Sequence, residues 1–124
     1  MAIELTQSRR RAVAALAGSM MIAAGLWVSL DPALAPPIEN GEDKYIHVAA
    51  YALLAAAWAE ALPARLRWLV VPAIAALGGG IELLQGTIPG RIASPLDAAS
   101  NGVGAALGVL AHRLLGRRGQ GASR

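Results

Sequence analysis

Four apolar segments, each close to the length of a membrane-crossing helix, limit what this chain can fold into. They are AVAALAGSMMIAAGLWVSL (Ala12–Leu30), YIHVAAYALLAAAWAEAL (Tyr45–Leu62), WLVVPAIAALGGGIELLQ (Trp68–Gln85) and LDAASNGVGAALGVLAHRLL (Leu96–Leu115). A helix rising about 1.5 Å per residue needs roughly 20 residues to cross about 30 Å of hydrocarbon. The connectors DPALAPPIENGEDK, PARLR and GTIPGRIASP are short and rich in Pro, Gly and charge. The expectation is an all-α fold: one integral membrane domain over residues 1–124, a bundle of four transmembrane helices.

Composition agrees. Of 124 residues, 56% are hydrophobic and 15% charged, and the mean hydropathy is +0.49, a balance that suits a membrane protein better than a small soluble domain. The chain has no Cys, which excludes a disulfide framework, a thiol nucleophile and a Cys-based metal site. A sequence pI near 10.2 invites a nucleic-acid reading. That reading needs the basic residues gathered on one surface, and here they flank the apolar segments, so no nucleic-acid partner is expected.

Those flanks also set an orientation. With the N-terminus inside, the inner side carries Arg9, Arg10, Arg11, Arg65, Arg67, Arg113, Arg117, Arg118 and Arg124, against Lys44 and Arg91 outside. By the positive-inside rule both termini are cytoplasmic, in the inner (plasma) membrane of the cell. Trp27, Trp58 and Trp68 read as interfacial anchors. A cleaved signal peptide, with ALA at Ala33–Ala35 as its cut, is the rival reading of the first segment. The apolar run exceeds the usual 7–15 residues of about that class, and Pro36 would follow the cut directly, so the span is read as retained.

The polar residues inside the spans carry the functional signal. Depth counting puts His47 about 4–5 Å and Tyr51 about 10 Å below the outer boundary, Glu82 within roughly 8 Å of it, and Asn101 about 6 Å down. Asp43, His47 and Tyr51 step by four, Glu82 and Gln85 by three, and Asp97 and Asn101 by four, so each set shares a helix face. Such faces turn toward a bundle interior or wet cavity, and an outer polar pocket is the expectation. Gly104 and Gly108 form a GxxxG, and Gly78–Gly80 thin the third helix; both suit close packing, with a hinge at the triplet as the alternative. The inner half reads as plain packing, with Glu60 paired to Arg65 or Arg67, His112 solvated or snorkelling, and the tail GRRGQGASR disordered near anionic lipid.

DKYIHVAAYALLA (Asp43–Ala55), GIELLQGTIPGR (Gly80–Arg91) and SPLDAASNGVGAALG (Ser94–Gly108), in this order and spacing, resemble the VanZ-like family, small multi-helix membrane proteins named after a teicoplanin-resistance determinant. The family pattern falls here on Asp43, Lys44, His47, Glu82, Gln85, Arg91, Asp97 and Asn101. The resemblance implies a link to the cell envelope and to glycopeptide tolerance, without a chemical mechanism.

Three functions fit this constellation. Lys44 and Arg91 can donate to a lipid phosphate or peptide carboxylate at headgroup depth, so ligand binding by Asp43, Lys44, His47, Tyr51, Glu82, Gln85, Arg91, Asp97 and Asn101 is the leading expectation. The partners would be membrane lipids and a lipid-linked or glycopeptide ligand, with homo-oligomers left open. Glu82 and His47 are the candidates for acid/base work in a membrane hydrolase or transferase. A polar cluster that only fixes helix register is the third. No cofactor is implied, and with His47 the only outer-side histidine no metal site is expected.

Overall fold

The computed structural model describes residues 2–34 and 43–121, with side chains over 4–34 and 44–116. Four α-helices make up the fold: α1 (Ala2–Leu30), α2 (Asp43–Ala61), α3 (Val70–Gln85) and α4 (Pro95–Gly121). Short 3-10 turns follow α1 at Pro32–Leu34 and precede α3 at Ala64–Leu69. Each expected segment contains a helix, with three differences at the ends. α1 starts ten residues earlier than its apolar stretch. The third segment begins as a 3-10 turn because Pro63 precedes it and Pro72 can enter an α-helix only in its first turn, where no partner N–H is required. α4 runs on through Gly121, so the basic tail expected as disordered is helical over most of its length.

The most extensive contact is between α2 and α4, with α3 against α4 and α1 against α2 next. Glycine makes the first of these. A Cβ on Gly104 would lie 2.5 Å from the Val48 carbonyl oxygen, and one on Gly108 would overlap the carbonyl of Ala52. The two backbones therefore touch, as in small-xxx-small helix pairs. Around this seam lies the buried core: Leu54, Ala55 and Ala59 from α2, Val70 and Ile74 from α3, Ala105 and Val109 from α4. α1 is held from the side by Trp58, whose indole sits where a Cβ of Gly18 would be 2.7 Å away. Trp58 is thus a packing residue rather than the interfacial anchor expected, whereas Trp27 and Trp68 are exposed.

Two helical stretches are long and apolar enough to cross a membrane, Glu4–Leu30 and Ala64–Gln85. Only 6% of the most apolar window of the first is buried, unlike a soluble core helix. α2 and α4 fall short on composition because they carry Lys44, His47, Glu60, Asp97, Asn101, His112 and Arg113. Their outward faces are nonetheless apolar, with Leu53, Leu107, Leu110 and Leu114 exposed.

Gly108→Val should force α2 and α4 apart and cost about 3 kcal/mol, the upper end of overpacking penalties. Gly116→Ala, where a Cβ meets nothing within 4 Å, should instead stabilise by about 0.5–1 kcal/mol. Thermal unfolding followed by circular dichroism in detergent micelles checks both signs.

Candidate functional site

The N-terminal ends of α2 and α4 and the C-terminal ends of α1 and α3 meet at one end of the bundle. Asn101 lies one turn before Gly104 on α4 and His47 one residue before Val48 on α2, so the glycine seam brings them together. His47 Nδ1 and Asn101 Oδ1 are 2.8 Å apart. An amide oxygen only accepts, so Nδ1 holds the proton and, in the neutral ring, Nε2 keeps its lone pair. Asn101 is 1% exposed. Tyr51, one turn along α2, stacks on His47 with ring centroids 6.3 Å apart and planes at 18°.

The start of α4 organises the carboxylates. Ser94 caps the helix, its Oγ accepting from the Asp97 N–H at 3.2 Å, and Pro95 takes the first helical position, where no N–H is needed. The Ser94 N–H donates to Glu82 Oε2 at 3.0 Å. Glu82, 5% exposed, therefore sits at the positive end of the α4 dipole, which favours an anion there. Lys44 Nζ lies 3.6 Å from Asp97 Oδ1. A ring nitrogen of His47 and one carboxylate oxygen each from Glu82 and Asp97 all fall within 4.8 Å of one another.

Gln85 and Arg91 face the other way, toward α1. Gln85 Nε2 donates to the Ser29 carbonyl at 3.1 Å, and Arg91 Nη2 to the carbonyls of Asp31 at 3.1 Å and Val28 at 3.4 Å. Val28 and Ser29 lie in the last turn of α1, whose carbonyls have no partner within the helix, while Asp31, just beyond it, also accepts the Leu34 N–H at 3.2 Å; a cation suits that end. Arg91 Nε is buried without a hydrogen-bond partner. Between the two groups opens a cavity of about 260 Å³, walled by apolar groups such as Gly25, Ile46 and Ile81 and bordered by His47, Tyr51, Gln85 and Arg91.

The convergence read from helical phase is therefore present for His47, Tyr51, Glu82, Asp97 and Asn101, and Lys44 lies beside Asp97. Gln85 and Arg91 share the cavity, with Gln85 Nε2 and Arg91 Nη2 bonded to main-chain carbonyls at the end of α1. Asp43 opens α2, and its side chain lies outside the described residues. No ion pair joins Arg91 to Glu82 among the described residues. The donor set is also larger than a lone histidine implied, because the fold adds two carboxylates beside it. Ser94 was not singled out from the sequence, although S-P-L-D has the spacing of a capping box; the Ser29 and Asp31 carbonyls have no side-chain signature at all.

The opposite end of the bundle differs from the expectation of plain packing. Glu60 pairs with Arg10 at 3.3 Å and with His112 Nε2 at 2.9 Å, rather than with Arg65 or Arg67. His112, expected as solvated, has a side chain only 15% exposed. Arg67 instead donates from Nε to the Leu62 carbonyl at 3.3 Å.

Fold and site together define an all-helical protein, with two helices apolar enough for a membrane and a buried ionisable cluster at one bundle end. No protein-family model, curated protein or solved structure matches the chain.

Asn101→Leu removes the acceptor from the half-buried His47 N–H and should cost about 1–3 kcal/mol. The double variant with His47→Leu should cost clearly less than the sum of the single changes, which denaturant unfolding of the four proteins in micelles would measure.

Proposed function

We propose that the protein crosses the inner (plasma) membrane four times with both termini in the cytoplasm, and that its outer cavity binds an anionic amphiphile, a phospholipid or a lipid-linked envelope headgroup. The observation that carries this reading is the cavity itself. Its apolar walls suit an acyl or isoprenoid chain, and at its polar border Arg91 offers a guanidinium beside His47, Tyr51 and Gln85. A guanidinium is the side chain best matched to phosphate or carboxylate oxygens. Intramembrane ionisable groups such as Glu82 mark function by default.

Four spans are supported by the lengths of α2 and α4, 19 and 27 residues, by their exposed leucines, and by the nine-against-two distribution of basic residues. The VanZ-like resemblance extends the ligand class to glycopeptides and the role to envelope or glycopeptide tolerance. A membrane-embedded hydrolase or transferase acting on a lipid-linked substrate is the second reading, favoured by the approach of His47, Glu82 and Asp97; turnover of a retained lipid, as opposed to retention alone, separates the two.

Because the chain has no Cys, single cysteines report topology without background. Thr87→Cys should react with an impermeant maleimide in intact cells, and Arg65→Cys only after permeabilisation; the reverse pattern overturns the orientation.

For the ligand, native mass spectrometry of the purified protein should show retention of phosphatidylglycerol over phosphatidylcholine, with teicoplanin as a further probe. Arg91→Gln should weaken retention about tenfold, equivalent to roughly 1.4 kcal/mol. Gly25→Leu, which fills the cavity at a position with nothing within 4 Å of its Cβ, should abolish it. Equal retention of both lipids, untouched by either change, would rule the reading out.

A further inference from the structure

The group of His47, Glu82 and Asp97 has properties that lipid binding does not use. The three side chains come from α2, α3 and α4, and their donor atoms lie within 4.8 Å of one another. In a tetrahedral zinc shell with bonds of about 2.0–2.2 Å, donor atoms sit about 3.4 Å apart, so small rotamer adjustments close the group. None of the three is a surface residue. Glu82 is 5% exposed and the Asp97 side chain 13% exposed.

Two further observations point to a cation. Asp97 Oδ1 is buried with no hydrogen-bond partner; its nearest countercharge, Lys44 Nζ, is 3.6 Å away, beyond hydrogen-bond reach. Asn101 Oδ1 holds the Nδ1 proton of His47 and is itself fixed in a side chain 1% exposed. A hydrogen bond of this kind to one ring nitrogen is the outer-shell arrangement that orients a ligating imidazole. Charge balance agrees: a dication would sit between two carboxylates, of which Asp97 faces Lys44 at 3.6 Å and Glu82 accepts the Ser94 N–H.

We infer that His47, Glu82 and Asp97 form a site for a divalent transition cation, with zinc as the metal best matched to one imidazole and two carboxylates. Three protein ligands leave a fourth position for water or for an oxygen of a bound molecule. Arg91 is turned to the carbonyls of Val28 and Asp31 at the end of α1 and does not compete, whereas Lys44 must yield its place at Asp97.

The test uses the full chain in dodecyl maltoside, stripped with EDTA and titrated with Zn²⁺ alone, with circular dichroism confirming helical structure in every variant. The expected result is one zinc per chain by elemental analysis after gel filtration. Binding should fall at least 100-fold in both Asp97→Asn and Glu82→Gln, which keep side-chain shape. Cobalt substitution should give visible absorption bands of a low-coordinate site in wild type, lost in His47→Ala. His112→Ala, at the opposite end of the bundle, should leave all of this unchanged. Failure of a folded wild-type chain to retain zinc, retention that survives both carboxylate changes, or loss only in His112→Ala each overturns the inference. Lipid retention by the EDTA-stripped protein is read separately, so the metal site and the lipid cavity can fail independently.

Discussion

The backbones of α2 and α4 touch at Gly104 and Gly108, and the rest of the site inherits its register from that contact. With no Cβ between them, the α4 glycines lie against the carbonyls of Val48 and Ala52, and neither helix can slide or rotate without a clash. Close van der Waals contact through small residues is what such a seam contributes to helix association. Once the seam is fixed, one turn of α4 brings Asn101 to His47 and the next brings Asp97 to Lys44. Gly78 completes the fit from α3, since a Cβ there would fall 2.7 Å from Asn101 Nδ2 and 2.9 Å from the Tyr51 ring.

Polar clamps close the bundle at both ends, with an apolar seam between them. At one end are His47, Asn101, Lys44, Asp97 and Glu82; at the other, Glu60 with Arg10 and His112. The two clamps differ in chemistry. Glu60 meets a permanent cation and an imidazole within 3.3 Å, which answers its charge. At the first end two carboxylates and an imidazole approach one another, and among the described residues the one ion pair there is Lys44 with Asp97 at 3.6 Å; buried charge left underpaired is costly to a fold. A structural role alone gives no reason for that difference, which is why the first cluster and not the second is read as functional.

Much of this was legible in the sequence because it follows helical phase. The four-residue steps from His47 to Tyr51 and from Asp97 to Asn101 put those side chains on single faces, and the GxxxG at Gly104 marked the seam. What escaped had a different physical origin. Gln85 and Arg91 bond to main-chain carbonyls of α1, and every residue carries a carbonyl, so no side-chain pattern announces the partner. Glu60 finds His112 across 52 residues of sequence, while Arg67, nearer along the chain, acts on it through its charge without an ion pair. Trp58 reads as an anchor by its position near a helix end, yet Gly18 on another helix leaves the room that draws its indole inward.

The sorting of charge at the His47 end of the bundle follows from chain direction. α1 ends there and α4 begins there, so the unpaired carbonyls of one helix and the unpaired amides of the other emerge side by side. Cationic and donor groups collect on the first: Arg91 and Gln85 bond to Val28, Ser29 and Asp31. Carboxylates collect on the second, with Glu82 accepting the Ser94 amide and Asp97 in the first turn of α4. Both choices are the ones the helix dipoles favour. His47 borders both regions, lining the cavity toward Arg91 while bonding Asn101 behind it. An up-and-down bundle places opposite helix ends together at each surface, so a pocket with one donor-rich wall and one carboxylate-rich wall needs only a few polar side chains in the right phase. This chain has them at the end where α4 begins.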